Sequence, residues 1–139
     1  MSSSNFVKLQ RIQNTLARVV MLSDKRVDIT PIVKRLHWLL IRQRVEYKVS
    51  LLSYKIRQTG KLTHLSALLI EHVPTRNLRS SERSDLEIPR TKLALASRAF
   101  SVAAPRTWNS LPMDVTSAES LTIFRKRLKI YLFNTAYKH

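Results

Sequence analysis

The apolar and polar positions of this chain recur mostly at helical spacing. Phe6, Leu9, Ile12, Leu16, Val19 and Val20 fall at steps of three and four, with Arg11 and Arg18 opposite and Lys8 at the edge. That pattern predicts an amphipathic helix over 5–22, its apolar side toward a core and its basic back in solvent. A serine among residues 2–4 can supply its N-cap. After a polar break at Asp24–Thr30, Thr30-Pro31 predicts a second start, with Thr as cap and Pro at the first helical position, where its missing N–H costs nothing. Ile32, Val33, Leu36 and Leu39 belong to the short helix that follows. Ile41–Gln58 predicts the longest helix, closed by Thr59-Gly60. Its wheel has two apolar strips, Ile41, Val45, Val49, Leu52 and Ile56 on one side and Tyr47, Leu51 and Tyr54 on the other. A helix apolar on two sides has neighbours on both. Between the strips run Arg44, Lys48 and Lys55, beside two tyrosines. They suit phosphate contact with ring stacking, and equally lysines reaching solvent from a crowded interface.

Leu62–Glu71 reads as one more helix. Val73–Asp85 is polar and carries Arg76, Arg79 and Arg83 among serines, as an exposed phosphate-contacting arm or a solvated linker would. Leu86–Pro89 and Ala99–Val102 have strand character and are expected to pair as a small hairpin, with Pro89 confining its strand to an edge. After Pro105, a turn or two of helix carries Trp108 and Leu111 as far as Pro112. Thr116-x-x-Glu119 reads as a capping box opening the last helix. Leu121, Phe124, Leu128, Tyr131 and Leu132 form its inner face, and Arg125, Lys126, Arg127 and Lys129 its outer one. The fold class expected is mainly α, a helical bundle-like module with at most one short β-hairpin around 86–102. Its segments are 1–72 (helical), 73–85 (basic polar linker) and 86–139 (hairpin plus C-terminal helices), joined in one compact unit. Trp38, Phe100, Trp108, Leu111 and Phe124 are the expected structural core.

Composition narrows the function. One glycine in 139 residues disfavours hairpin-rich folds and leaves no Gly-rich phosphate loop. Twenty-five Lys/Arg against nine Asp/Glu give a formal charge of +16, which points to a polyanionic partner. An anionic membrane fits less well, because the basic residues are spread over every segment, and no apolar run nears the roughly 18 residues of a membrane span. Cysteine is absent, so disulfides, thiolate nucleophiles and Cys-containing zinc sites are excluded. His37, His64, His72 and His139 do not stand at ligand spacing. The acids form no carboxylate pair, and no serine sits on a strained elbow. Neither metal, cofactor nor catalysis is expected. The N-terminus, with Ser and Arg and no acid before Asp24, shares features with mitochondrial transit peptides, as many basic proteins do. A nuclear or cytoplasmic location is the expectation over a mitochondrial one. The candidate phosphate contacts are Arg44, Lys48, Lys55, Arg76, Arg79, Arg83, Arg106, Arg125, Lys126, Arg127 and Lys129.

Several strings, in order, are LQRIQNTLARVV, ITPIVKRLHWL, IRQRVEYKVSLLSYK, RNLRSSERSDLEIPRTK, RAFSVAAPRTWNSLP and SAESLTIFRKRLKIYLF. Together they resemble the C-terminal, post-catalytic part of non-LTR (LINE-type) retrotransposon reverse transcriptases, and they cover nearly all of the chain. The resemblance implies thumb and C-terminal helices, 1–72 being the thumb-like segment, that hold RNA template and RNA–DNA hybrid near a polymerase. The family's aspartate-bearing palm motif and its endonuclease have no counterpart here. Leu40 stands where the family has proline after His-Trp-Leu, Thr59–Leu62 lacks its Gly-Leu-Ala-Pro loop, and Ala96-Ser97 replaces its Gly-Asp. No catalytic residue carries over. The expected function is non-catalytic, salt-dependent binding of RNA or RNA–DNA hybrid. The alternatives are a helical protein-interaction or scaffold module co-opted from a retroelement, with a protein partner on its apolar faces, and a translated, decayed fragment without function.

Overall fold

The computed structural model describes residues 2–76 and 83–138. It is mainly helical: α1 (Ser3–Val20), α2 (Ile29–Arg35), α3 (Ile41–Thr59), α4 (Thr63–Ser66), α5 (Phe100–Ser110), α6 (Met113–Thr116) and α7 (Leu121–Tyr137), with a 3-10 turn at Ala96–Arg98. No strand occurs among the described residues. The contacts divide the chain into two compact units, Met1–Tyr47 with Lys129–His139, and Lys48–Leu128. The divisions fall inside α3 and α7 and not at the polar stretch 73–85.

In the first unit α1 is capped by Ser2, whose hydroxyl accepts from the Asn5 N–H. α2 is capped by Asp28, which accepts from Thr30 N–H at 3.2 Å. Thr30 is therefore inside the helix and not its cap, and Pro31 is the third residue, still in the turn whose N–H groups have no helical partner. Both helices end in Schellman motifs without glycine. Ser23 N–H bonds Arg18 O and Leu22 N–H bonds Val19 O; Trp38 N–H bonds Val33 O and His37 N–H bonds Lys34 O. Leu22 (φ 49°) and His37 (φ 52°) take the left-handed position that glycine usually fills. The core here is Ala17, Ile32 and Val33, with Met21, Leu36, Trp38 and Tyr137 packed on it.

The orientation of α1 reverses the expectation. Gln13 (4% exposed) and Ala17 (0%) are its buried residues, while Ile12, Leu16, Val19 and Val20 are more than half exposed. Ala17 permits close approach to α2. The glutamines serve backbone that lacks helical partners: Gln13 Nε2 donates to Leu39 O (2.8 Å), and Gln10 Oε1 accepts from Ile41 N–H (2.9 Å) at the start of α3. The inward row of α1 thus joins a small apolar contact, Ala17, to two capping glutamines.

In the second unit, the ring of Tyr54 stacks on Phe124 at 4.2 Å and that of Trp108 lies 6.0 Å from Phe124. Trp108, Leu111 and Phe124 are buried as expected, whereas Trp38 and Phe100 are only half-buried. Phe124 and Leu128, and Leu132 in the first unit, form the buried row of α7 that the spacing predicts. Its cap is Ser120, whose hydroxyl accepts from Ile123 N–H, and not the Thr116–Glu119 box. Thr116 instead donates to Met113 O in α6.

The expected hairpin does not form. Leu86 makes an isolated antiparallel bridge with Glu71, through His72 N–H to Asp85 O and Glu87 N–H to Ile70 O. The other edge of Leu86 is taken by the Asn109 carboxamide, which accepts from Leu86 N–H and donates to Leu86 O, both at 2.8 Å. A side chain has thus occupied the place of a second strand. Ala99 is extended and opens α5, so 99–102 is the start of a helix. The helix expected over Leu62–Glu71 is limited to one turn, because Ile70 and Glu71 are drawn into the bridge.

Candidate nucleic-acid interface

The basic residues fall into two kinds, those held by the fold and those presented to solvent. Arg83 is held. It pairs with Asp85 at 2.9 Å and donates to the backbone carbonyls of Asn109 and, at 2.6 Å, of Leu111. Arg83 therefore clamps the end of the polar stretch to α5 and has little left for a phosphate. Arg127 is exposed yet donates to Asp114 O at 2.6 Å. Lys55 is half-buried.

Arg44 in the first unit, and Lys48, Arg76, Arg106, Arg125 and Lys126 in the second, are exposed, as is Lys129 in the first. Arg79 lies outside the described residues. Two of the exposed pairs, Arg44/Lys48 and Arg125/Lys129, are like charges four apart on a helix, an arrangement that disfavours the free helix by a few tenths of a kcal/mol and that an anion relieves. Tyr54 is not a stacking platform: it is buried, and its hydroxyl donates to Ala118 O at 2.8 Å. Tyr47 is half-buried.

The positive charge is even between the units. The first has eleven Lys/Arg against three Asp/Glu and the second fourteen against six, a formal +8 in each. Neither unit is a neutral scaffold for the other's basic patch.

Two features were not readable from residue spacing. In the second unit a cleft of roughly 360 Å³ is lined by Tyr54, Arg57, Glu71, Arg83 and Trp108 among others. Arg57 lies over the Trp108 ring at 4.9 Å, pairs with Glu71 at 2.9 Å and donates to Ser84 O at 3.1 Å. Its residues come from distant parts of the chain, so no local pattern marks it. In the first unit a groove of roughly 440 Å³ is lined by lysines and aromatic rings of α2 and the end of α7. Tyr131, Asn134, Thr135 and Lys138 share one side of the end of α7, but nothing in the spacing brings Lys34 to them.

No family model, no curated protein and no solved structure matches the chain.

Proposed function

We propose that this chain is a non-catalytic, reverse transcriptase-like module of LINE-type retrotransposon descent that binds RNA or RNA–DNA hybrid through phosphate-directed Lys/Arg. The observation that carries the reading is the formal +8 on each unit, with Arg44, Lys48, Arg76, Arg106, Arg125, Lys126 and Lys129 exposed. Charge of this size concentrates phosphate around the protein without selecting sequence. The ordered strings that resemble the post-catalytic region of such reverse transcriptases support the descent. Arg83 and Arg127 serve mainly to brace the fold, so the phosphate contacts rest on the exposed set.

The test is a salt series with a labelled RNA–DNA hybrid. The logarithm of affinity falls linearly with the logarithm of salt concentration, and neutralising Arg125, Lys126 and Lys129 together flattens the slope by about 0.9 per lost contact on a duplex. Affinity indifferent to salt overturns the proposal.

A second reading, a protein-interaction module, is favoured by one observation: the exposed apolar stripe of α1. Contiguous patches of that kind mark interfaces more often than scattered surface leucines do. A complex that survives both nuclease and high salt, and that Ile12→Glu disrupts, would support it over the first.

A further inference from the structure

The groove in the first unit is chemically unlike the exposed basic residues elsewhere, because aromatic rings line it alongside ammonium groups. Lys34 comes from the last turn of α2; Tyr131, Phe133, Asn134, Tyr137 and Lys138 come from α7 and its end. No acid lines it. Its volume of roughly 440 Å³ is within the range of pockets that take a nucleotide-sized ligand, roughly 300–1,000 Å³.

Two of its rings, Phe133 and Tyr137, are held in place. Tyr137 donates its hydroxyl to Trp38 O at 2.7 Å, Phe133 sits 4.7 Å from Tyr137, and His37 sits 5.6 Å from Phe133. Thr135 donates to Tyr131 O at 2.9 Å and so is spent on the helix. Tyr131 and Phe133 remain half-exposed, and Lys34, Asn134 and Lys138 are exposed. A bare polyanion would use only the two lysines. A ligand with a flat aromatic face between two phosphates would use the rings as well, and Asn134 offers a donor and an acceptor to its edge. Bases in a duplex are stacked on one another and offer no free face; those of a single strand do.

We propose that this groove binds one unpaired base of a single-stranded nucleic acid, stacked on Tyr131 with its flanking phosphates on Lys34 and Lys138. The proposal rests on the phosphate-binding reading above and adds a base-binding site to it.

The experiment compares a labelled uridine octamer with an octamer of the same backbone lacking bases, at equal salt, using the full chain. The uridine octamer binds about tenfold more tightly, the size expected for one stacked base. Tyr131→Ala removes that preference and leaves the salt slope unchanged; Tyr131→Phe keeps it. Lys34→Ala with Lys138→Ala reduces the slope by about 1.4, the single-strand value for two phosphates. Equal affinity for the two octamers in the wild-type protein overturns the base site while leaving phosphate binding intact. The same holds if the preference persists in Tyr131→Ala. Failure of both octamers to bind at low salt overturns the groove and the phosphate reading together. Should Tyr131→Ala not fold by circular dichroism, the wild-type comparison and the lysine pair decide the matter on their own.

Discussion

Ser50 is 0% exposed on α3, and its hydroxyl has no hydrogen-bond partner among the described residues. A buried hydroxyl left unpaired costs about 1–3 kcal/mol. Ser50→Ala keeps the small volume and removes the cost, so urea titration should find the variant more stable by about 1 kcal/mol. A loss of stability would mean that the hydroxyl has a partner after all. Ser53, equally buried, donates to Val49 O, so its replacement has no such benefit. The sequence gives no sign of this difference, since both serines sit at inward positions of α3 and differ in whether the hydroxyl turns back onto the carbonyl four residues earlier. Glu46 offers a second test at this scale. Burial raises its carboxyl above the ordinary 4.5, and Arg42 only partly offsets this. The folded protein therefore holds that proton more tightly than the unfolded chain does. Its favourable contribution is complete below pH 4.5 and is lost as the pH rises through the raised value. Glu46→Gln should therefore melt higher than the wild type at pH 7, with the gap closing on acidification toward pH 4. A gap that widens on acidification would refute the assignment.

At the scale of elements, existence was legible and orientation was not. Helical spacing finds α1, α2, α3 and α7 because each keeps an uninterrupted three- and four-step pattern over at least part of its length. It places the inner row of α7 correctly, since Phe124, Leu128 and Leu132 are large, apolar and one turn apart. It fails on α1 because hydrophobicity records which side could be buried, not which side meets a neighbour. Ala17, Gln10 and Gln13 are chosen by close approach and by the unpaired backbone at 39–41, neither of which hydropathy measures. Replacing Ile12 and Leu16 each by Lys should change stability by under about 0.5 kcal/mol, as on any open surface. Ala17→Leu should cost about 1–3 kcal/mol by overpacking. Denaturant curves for the three variants settle the orientation, and the reverse ranking would restore the leucine face as the core. The hairpin fails to form for a related reason. Leu86 did seek a partner on each edge, and one of those partners was a carboxamide from a helix, which no strand pattern can announce.

For the whole molecule, the candidate basic residues were legible as a list, but not as a sorted one. Composition gives +16 and cannot distinguish Arg83, spent on Asp85 and two carbonyls, from Arg106, which is exposed. The charge has a consequence of its own, because a free chain so unbalanced repels itself. Raising salt from low to moderate concentration should raise the melting temperature of the free protein by screening that repulsion, while it weakens nucleic-acid binding. Opposite responses in calorimetry and in binding, measured on one preparation, are the expected result. A melting temperature that falls over the same salt range would show that attractive ion pairs outweigh the repulsion.

The bridge between Glu71 and Leu86 also separates the length of the intervening chain from the fold. Its ends are pinned by His72 N–H to Asp85 O at 3.0 Å, Glu87 N–H to Ile70 O at 2.7 Å and the Asn109 carboxamide. Closing a chain segment costs entropy that grows only with the logarithm of its length, about 0.6 kcal/mol per doubling. A flexible insert of ten Gly/Ser residues after Thr75, which roughly doubles the span, should therefore lower stability by no more than about 1 kcal/mol in a urea titration. That makes Thr75 a place where a reporter or an added recognition sequence can be carried while both anchoring sides of the bridge remain closed.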